Sequence, residues 1–323
     1  MPARRPTLGE RRVRIAYGRR VVRRRRIPTC VVRSGPCQRR TIPVRCRPTV
    51  SLRLLAASLI VLAFGLPTGP VRAACDDPPG PGVVWETCHK TSLRLNGSDL
   101  AGARIVGSSL ARSDLRRANL TGAVLEGSYL NRALLSGANL KGADLSRAEA
   151  YRGEFARADL TAAELVKTVL ARANLTGARL QDANLHKVDA GRAVLRGAIL
   201  TRANLTKADL SRADLRDATL VDANATKAAL IRADLRGADL TGTDLTDAHL
   251  ILADLRGARL KGADLTGALL RDVEFSGTDL SQVTGLGAAE LARACGDTGT
   301  KLPAGLTRPD TWPCAPMQRE RDR

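Results

Sequence analysis

The chain has 323 residues, a formal net charge of +20 and 44% hydrophobic residues. The charge is unevenly placed: residues 1–53 contain 17 Arg and one acid, whereas residues 91–280 contain 27 basic and 23 acidic residues. The high isoelectric point therefore belongs mainly to the N-terminal tail, and a strongly acidic body is excluded for residues 91–280.

Residues 1–49 form an Arg-rich leader without a folded module. One interpretation is that translation starts near Val50, on an alternative start codon, so that the leader is not made. The other is a disordered basic arm that binds nucleic acid or anionic surfaces. The leader has a single aromatic residue, Tyr17, among its arginines, which favours the first interpretation and leaves the second open.

Residues 50–73 have the features of a secretory signal. The apolar run from Leu54 to Leu66 has 13 residues, which is too short for a helix that spans a bilayer. Arg53 precedes this run, helix breakers follow it, and Val-Arg-Ala at 71–73 is typical of a cleavage site. We expect cleavage near Ala73 and a periplasmic or extracellular mature chain without a transmembrane span. The alternatives are an uncleaved anchor or a buried helix.

A five-residue repeat covers the centre of the chain. A leucine or a substitute occurs at every fifth residue from Leu95 to Leu280, and 32 of these 38 positions are Leu. The substitutes are Ile105, Phe155, Phe275, Ala150, Ala190 and Ala225. With this position called i, i−2 is Ala in 27 repeats and i−1 is Asp or Asn in 19. Short polar side chains bond nearby corner backbone groups, so we expect the i−1 column to be structural and not a metal site.

A period of five fits neither regular element. Five steps along an α-helix rotate the chain by about 500°, and five steps along a flat strand reverse the face. The chain must therefore turn every five residues to keep i−2 and i in one interior. Position i+2 is Arg seven times in succession at a spacing of 20 residues. A period of 20 over five-residue steps predicts a square coil with four sides per turn.

Ala-Asp-Leu-Thr-Gly at 238–242 and Ala-Asn-Leu-Thr-Gly at 173–177 resemble the pentapeptide-repeat family. The resemblance implies an all-β fold, a right-handed quadrilateral β-helix over residues 91–281, with i and i−2 inside. About nine and a half coils at about 4.8 Å each give a rod roughly 45 Å long. We expect residues 74–90 and 282–323 to cap its ends, with Trp85 over the first coil and a short helix within Gly287–Ala294.

Removal of the leader and the signal leaves four cysteines, two at each end of the repeats. A disulfide needs Cα atoms within about 7 Å, so a rod of this length cannot join one end to the other. We therefore predict Cys75–Cys88 and Cys295–Cys314, in an oxidising compartment. Zinc is the alternative, although neither spacing is typical of zinc ligands and only His89 is nearby.

Basic residues recur at 20-residue spacing in three sets, all outside the core. The first two are at i+2 and are candidate polyanion-binding residues: the arginine row (Arg112, Arg132, Arg152, Arg172, Arg192, Arg212, Arg232) and the lysine row (Arg147, Lys167, Lys187, Lys207, Lys227). The third, at i+1, is Arg196, Arg216, Arg236 and Arg256. Stacked cations match lipid phosphates, acidic glycans or nucleic acid. The alternative is a solvated lattice with acids, as the alternation Arg212-Ala-Asp214-Leu-Arg216 indicates.

The sequence contains no catalytic constellation. His186 and His249 lie about three coils apart on different sides, and an interior of Leu and Ala leaves no cavity. We expect no enzyme, no cofactor and no metal. The favoured function is an exported scaffold that binds an unknown protein partner or an anionic envelope polymer. The resemblance also implies a topoisomerase-binding DNA mimic, but that role needs a strongly acidic cytoplasmic rod. Nucleic acid is not an expected partner.

Overall fold

A four-sided coil forms most of residues 75–314, which are the residues that the computed structural model describes. From residue 81 to 284 each repeat has one bridge residue at i−1 and a turn at i+1 and i+2, except that residues 86 and 87 form a bend. Each bridge residue pairs in parallel with the residue 20 positions later, from Val84 with Arg104 to Asp264 with Thr284. The predicted square coil with four sides per turn is confirmed. The strands are single bridge residues rather than extended segments.

From residue 82 to 277 every corner has a left-handed residue at i+2, and a β-turn hydrogen bond closes most of these corners. The N–H of Ala213 donates to the carbonyl of Leu210 at 3.0 Å, and Arg212 between them has a φ of +60°. Positive φ confined to i+2 is the signature of a type II turn. Glycine adopts this conformation without strain, and many other corners carry Arg, Lys or Asp there instead.

Hydrogen bonds between coils use the rest of the backbone. The N–H groups of Leu210 and Arg212 donate to the carbonyls of Ala229 and Ile231 in the next coil, both at 2.8 Å. The N–H of Asp209 donates in the opposite direction, to Val188 in the previous coil, at 2.8 Å. The i+2 residue thus holds the stack through its backbone, and its side chain is left for the surface.

The interior is one apolar column from Trp85 to Trp312, built from positions i and i−2. Where Ser or Thr occupies i−2, its hydroxyl usually donates to a carbonyl of the previous coil, as Thr168 does to Leu145 at 2.7 Å. Ser128 is buried, and within residues 75–314 its hydroxyl has no partner. The column contains no large polar cluster.

The first coil starts ten residues before the predicted boundary near residue 91. Trp85 occupies position i there and is buried, and its indole N–H donates to the carbonyl of Asp77 at 3.1 Å. Trp85 is therefore part of the first coil, and the segment that contains Asp77 covers it. The register explains this, since residue 85 lies two five-residue steps before Leu95.

The C-terminal end is closed by helix α1, Ala288–Leu291, which is shorter than the expected Gly287–Ala294 because Gly287 is the extended N-cap and Ala292 the C-cap. Cys295 and Lys301 continue the parallel pairing, with Glu274 and Asp279 respectively. The indole N–H of Trp312 donates to the carbonyl of Ala294 at 2.6 Å.

One disulfide lies at each end of the coil. Cys75–Cys88 and Cys295–Cys314 both have Cα atoms 5.5 Å apart, which is the pairing that the sequence predicts. No helix within residues 75–314 is long and apolar enough to cross a membrane. The Arg-rich leader and the signal segment at 50–73 lie outside the described residues.

Candidate functional site

The Asp and Asn side chains at i−1 shape the corners. In all nineteen repeats with Asp or Asn there, Oδ1 accepts a hydrogen bond from the N–H of i+1. This Asx-type bond fixes the entry into each turn. The polar column is used by the backbone, as expected.

Arginine at i+1 is placed to clamp the same carboxylate. Arg216 donates from Nε to Oδ1 of Asp214 at 2.8 Å and from Nη2 to Oδ2 at 2.6 Å. Identical paired bonds join Arg236 to Asp234 and Arg256 to Asp254. Two parallel bonds from a guanidinium to a carboxylate form the strongest common ion-pair geometry.

These pairs connect across coils into what we call the charge lattice, composed of Arg196, Arg216, Arg236, Arg256, Asp214, Asp234 and Asp254. Arg196 reaches Asp214 at 3.2 Å, Arg216 reaches Asp234 at 3.4 Å, and Arg236 reaches Asp254 at 3.8 Å. Each inner arginine therefore contacts a carboxylate of its own coil and one of the next coil.

Burial and pairing shift the pKa of several of these carboxyls. Outside the lattice, the side-chain hydrogen bond from Arg116 lowers the pKa of Asp114 to about 2. Inside the lattice, burial raises the pKa of Asp214 even though arginines surround it, and the neighbouring Asp234 raises it further. The hydrogen bond to Asp234 raises the pKa of Arg236.

The arginine row occupies a different corner of the coil from the i+1 arginines of this lattice. All seven side chains are exposed at a single corner of the coil. Six of them form no ion pair with any residue in the range 75–314: Arg112, Arg132, Arg152, Arg172, Arg192 and Arg212. The guanidinium of Arg152 lies 5.3 Å from the ring centroid of Tyr151. The row presents cations to solvent.

The lysine row occupies the adjacent corner. Its two ends are paired, Arg147 with Glu126 at 2.6 Å and Lys227 with Asp247 at 3.7 Å. Its three central members form no ion pair within the described part of the chain: Lys167, Lys187 and Lys207.

One side of the coil separates the two rows, and its outward column at i−1 includes the carboxylates of Glu149, Asp189 and Asp209. Shallow depressions lie at both corners. One is lined partly by Arg112 and Arg132, the other by Arg147 and Lys167.

The alternation Arg-x-Asp-x-Arg does not pair in the way the sequence indicates. Asp214 is clamped by the arginine that follows it, Arg216, and by Arg196 of the previous coil, whereas Arg212 is not its partner. The same holds for Asp114, which pairs with Arg116 and not with Arg112. A lattice exists for the i+1 arginines, and that alternative is wrong for Arg112 and Arg212.

The left-handed conformation at i+2 was missed from the sequence. The available signal was glycine, which holds the equivalent corner position in many repeats, as at Gly102, Gly122 and Gly142. Within residues 75–314 no group of three or more His, Cys, Asp or Glu side chains is arranged to hold a metal ion.

Comparison with known proteins agrees with this geometry. The family model described as "Pentapeptide repeats" matches this chain in eight copies, over residues 94–132, 113–149, 154–189, 178–217, 213–257 and 248–284. These segments cover more than half of the chain, so the chain belongs to the pentapeptide-repeat family. Its fold is accordingly the right-handed quadrilateral β-helix of that family. A search among curated proteins gives no match.

Three solved structures illustrate the similarity. HetL, a pentapeptide repeat protein involved in heterocyst differentiation regulation in the cyanobacterium Nostoc sp. strain PCC 7120, is 42% identical over 58% of this chain and 89% of its own, with a TM-score of 0.36. A pentapeptide repeat protein of the Arabidopsis thaliana thylakoid lumen is 28% identical over 34% and 79%, with a TM-score of 0.26. QnrB1, a plasmid-mediated fluoroquinolone resistance protein, is 18% identical over 68% and 94%, with a TM-score of 0.30. The fold assignment rests on the family match and the coil geometry.

Proposed function

We propose that this protein is an exported, non-catalytic scaffold that presents side chains on flat, rigid sides to a partner in the cell envelope. The observation that carries the proposal is the filled interior, which runs from Trp85 to Trp312 without a polar cavity. Chemistry at a tuned site needs an enclosed pocket, and the outward positions of this coil lie on open sides. Binding is the activity that such a surface supports.

The disulfides support the exported location. Each ties a terminal segment onto the coil: Cys88 is buried in the first coil, and Cys295 pairs in parallel with Glu274 near the C-terminal end. Disulfides at both ends are typical of an oxidising compartment. They also protect the ends of the stack, where backbone groups would otherwise be open to other chains.

Location is tested with a C-terminal tag, cell fractionation and thiol alkylation before reduction. We expect the protein in the periplasm or medium, beginning near Ala74, with Cys75, Cys88, Cys295 and Cys314 protected from alkylation. A cytoplasmic protein with reactive thiols would contradict export.

Scaffolding is tested by a photo-crosslinking residue at i−1 on each of the four sides, at Val194, Asp209, Thr219 and Asn224. Every one of these side chains is on the outside of the coil, so the positions control for one another. We expect an adduct in intact cells from one or two sides only. Adducts of equal yield from all four sides, or from none, would argue against a specific binding surface.

A further inference from the structure

The arginine row is a surface feature that the fold itself does not require. Its seven residues hold φ values between +55° and +60°. A residue with a Cβ in this conformation is less favourable than glycine by roughly 1–2 kcal/mol. Another corner of the same rod carries glycine at 102, 122, 142, 242 and 262, so glycine is compatible with the turn. Arginine in seven successive coils therefore has a conformational cost.

Within residues 75–314 no ion pair offsets that cost for six of these arginines, and of the six only Arg152 has an aromatic contact, with the ring of Tyr151. Stacked coils bring neighbouring arginines to roughly 5 Å at the backbone. Two unit charges at that separation repel by about 1 kcal/mol in water, less where the side chains splay apart. A ligand that brings negative charge to the corner would relieve this repulsion.

We propose that the arginine row binds one extended strand of an acidic polysaccharide. The proposal rests on the proposed function, since it names the class of envelope polymer that the scaffold holds. The seven arginines, one in each successive coil, span roughly 29 Å in a straight line. Guanidinium groups bind carboxylate or sulfate groups through two parallel hydrogen bonds, and lysine has no equivalent geometry.

The row's shape favours a single extended strand over a planar surface. Because it projects from a corner, a strand can follow it without crossing the column of Glu149, Asp189 and Asp209. A flat anionic membrane against this side would meet those three carboxylates as well as the cations, which weakens the match.

Nucleic acid fits the spacing poorly. One strand of B-DNA carries a phosphate about every 3.4 Å along the axis, whereas the arginines of the row repeat about every 4.8 Å. The phosphates therefore lose register with the arginines within a few coils. A polysaccharide whose charges are one or two coil spacings apart stays in register with the arginines. Single-strand binders also rely on aromatic platforms, and only Tyr129 and Tyr151 lie beside this row.

The test compares two variants of the protein, each lacking four positive charges. The row variant carries Arg152→Gln, Arg172→Gln, Arg192→Gln and Arg212→Gln. The control variant carries Arg117→Gln, Arg157→Gln, Arg179→Gln and Lys261→Gln, which are exposed positions outside both rows. All three proteins are purified in the exported form that begins near Ala74, so the Arg-rich leader takes no part in the binding. Equal circular dichroism spectra establish equal folding.

Binding to heparin and to polygalacturonate is measured at two salt concentrations. We expect the row variant to lose about tenfold or more in affinity and to show a shallower salt dependence, while the control variant stays within about twofold of the wild type. No binding by the wild type at low salt would overturn the proposal, as would equal losses in both variants.

Two further probes distinguish other sources of negative charge, a single-stranded oligonucleotide and vesicles containing phosphatidylglycerol. Row-dependent binding to either of these without binding to the polysaccharides would overturn the polysaccharide assignment. If polysaccharide binding fails while side-specific crosslinks persist, only this inference is lost and the scaffold stands. If the crosslinks are also absent, both proposals fall.

Discussion

The charge lattice and the arginine row contain the same residue type at the same period of 20, on one rod, yet they behave differently. An arginine at i+1 lies two residues after the carboxylate at i−1 and clamps it, as Arg216 does with Asp214. Arg212, at i+2 of another corner, forms no ion pair with any residue in the range 75–314. At these two corners, the arginine at i+1 therefore stabilises the stack, whereas the arginine at i+2 is available to a partner.

The largest expected effect on stability comes from a substitution in the interior. It tests whether the same tightly packed coils support the charge lattice and the arginine row. A Cβ added at Gly153 would lie 2.7 Å from Cε2 of Phe155 and 3.0 Å from the carbonyl oxygen of Ala150. We expect Gly153→Ala to lower the free energy of unfolding by about 1–3 kcal/mol through overpacking. Denaturant unfolding of the variant measures this.

The matched control for that substitution is Gly153→Ala combined with Phe155→Leu, which removes the ring that the new methyl group meets. We expect the double variant to show a coupling of about 1 kcal/mol or more in a double-mutant cycle. Additive effects would mean that the column is loose enough to absorb the methyl group, and the rows would then lack a rigid support.

The next effect concerns the lattice. Asp254 is almost buried, with 9% of its side chain exposed, and Arg256 clamps it. We expect Asp254→Asn to cost about 1–3 kcal/mol, because the amide can still accept the Asx bond but leaves Arg256 without its anion. Asp189→Asn is the control, since the Oδ1 of Asp189 accepts the same Asx bond, from Gly191, without an arginine clamp. Equal losses in thermal unfolding would contradict the role of the lattice.

The arginine row should respond in the opposite direction. We expect Arg212→Gly to raise the free energy of unfolding by up to about 1 kcal/mol, because glycine adopts the left-handed turn without strain. The gain is reduced by the greater freedom of glycine in the unfolded chain. Arg212→Ala keeps the strain and removes only the side chain, so its stability should stay near that of the wild type. A clear loss with Ala would show that the side chain stabilises the fold.

The charge lattice and the arginine row also show which structural features the sequence alone can predict. Regular spacing of Leu and Ala predicts the coil, its four sides and the inward positions, because every repeat must satisfy one interior. The same argument cannot assign partners to surface arginines. Whether Arg212 or Arg216 reaches Asp214 depends on the turn conformation between them, and the spacing of Leu and Ala does not indicate the positive φ at i+2. Trp85 was also placed outside the coil, although its position two steps before Leu95 fits the register.

The smallest effect is a dependence of stability on pH at a carboxylate that an arginine at i+1 clamps. Arg116 lowers the pKa of Asp114 from its ordinary value of 3.8 to about 2. A group with a lowered pKa stabilises the fold above its unfolded pKa, and this contribution disappears as the pH falls through the folded pKa. The difference in melting temperature between wild type and Asp114→Asn should therefore be constant above pH 4 and shrink between pH 4 and 2.

The variant Arg116→Gln tests whether Arg116 causes that pH dependence. With Arg116→Gln, the largest contribution to the lowered pKa is removed, so the difference made by Asp114→Asn should be small and nearly independent of pH. Arg112→Gln should leave the pH profile of Asp114 unchanged, because Arg112 forms no ion pair within residues 75–314. If Arg112→Gln alters the profile as much as Arg116→Gln does, arginines at i+2 and i+1 share the carboxylate in solution. The distinction between the i+1 arginines, which clamp a carboxylate, and the six arginines of the row that form no ion pair would then be wrong.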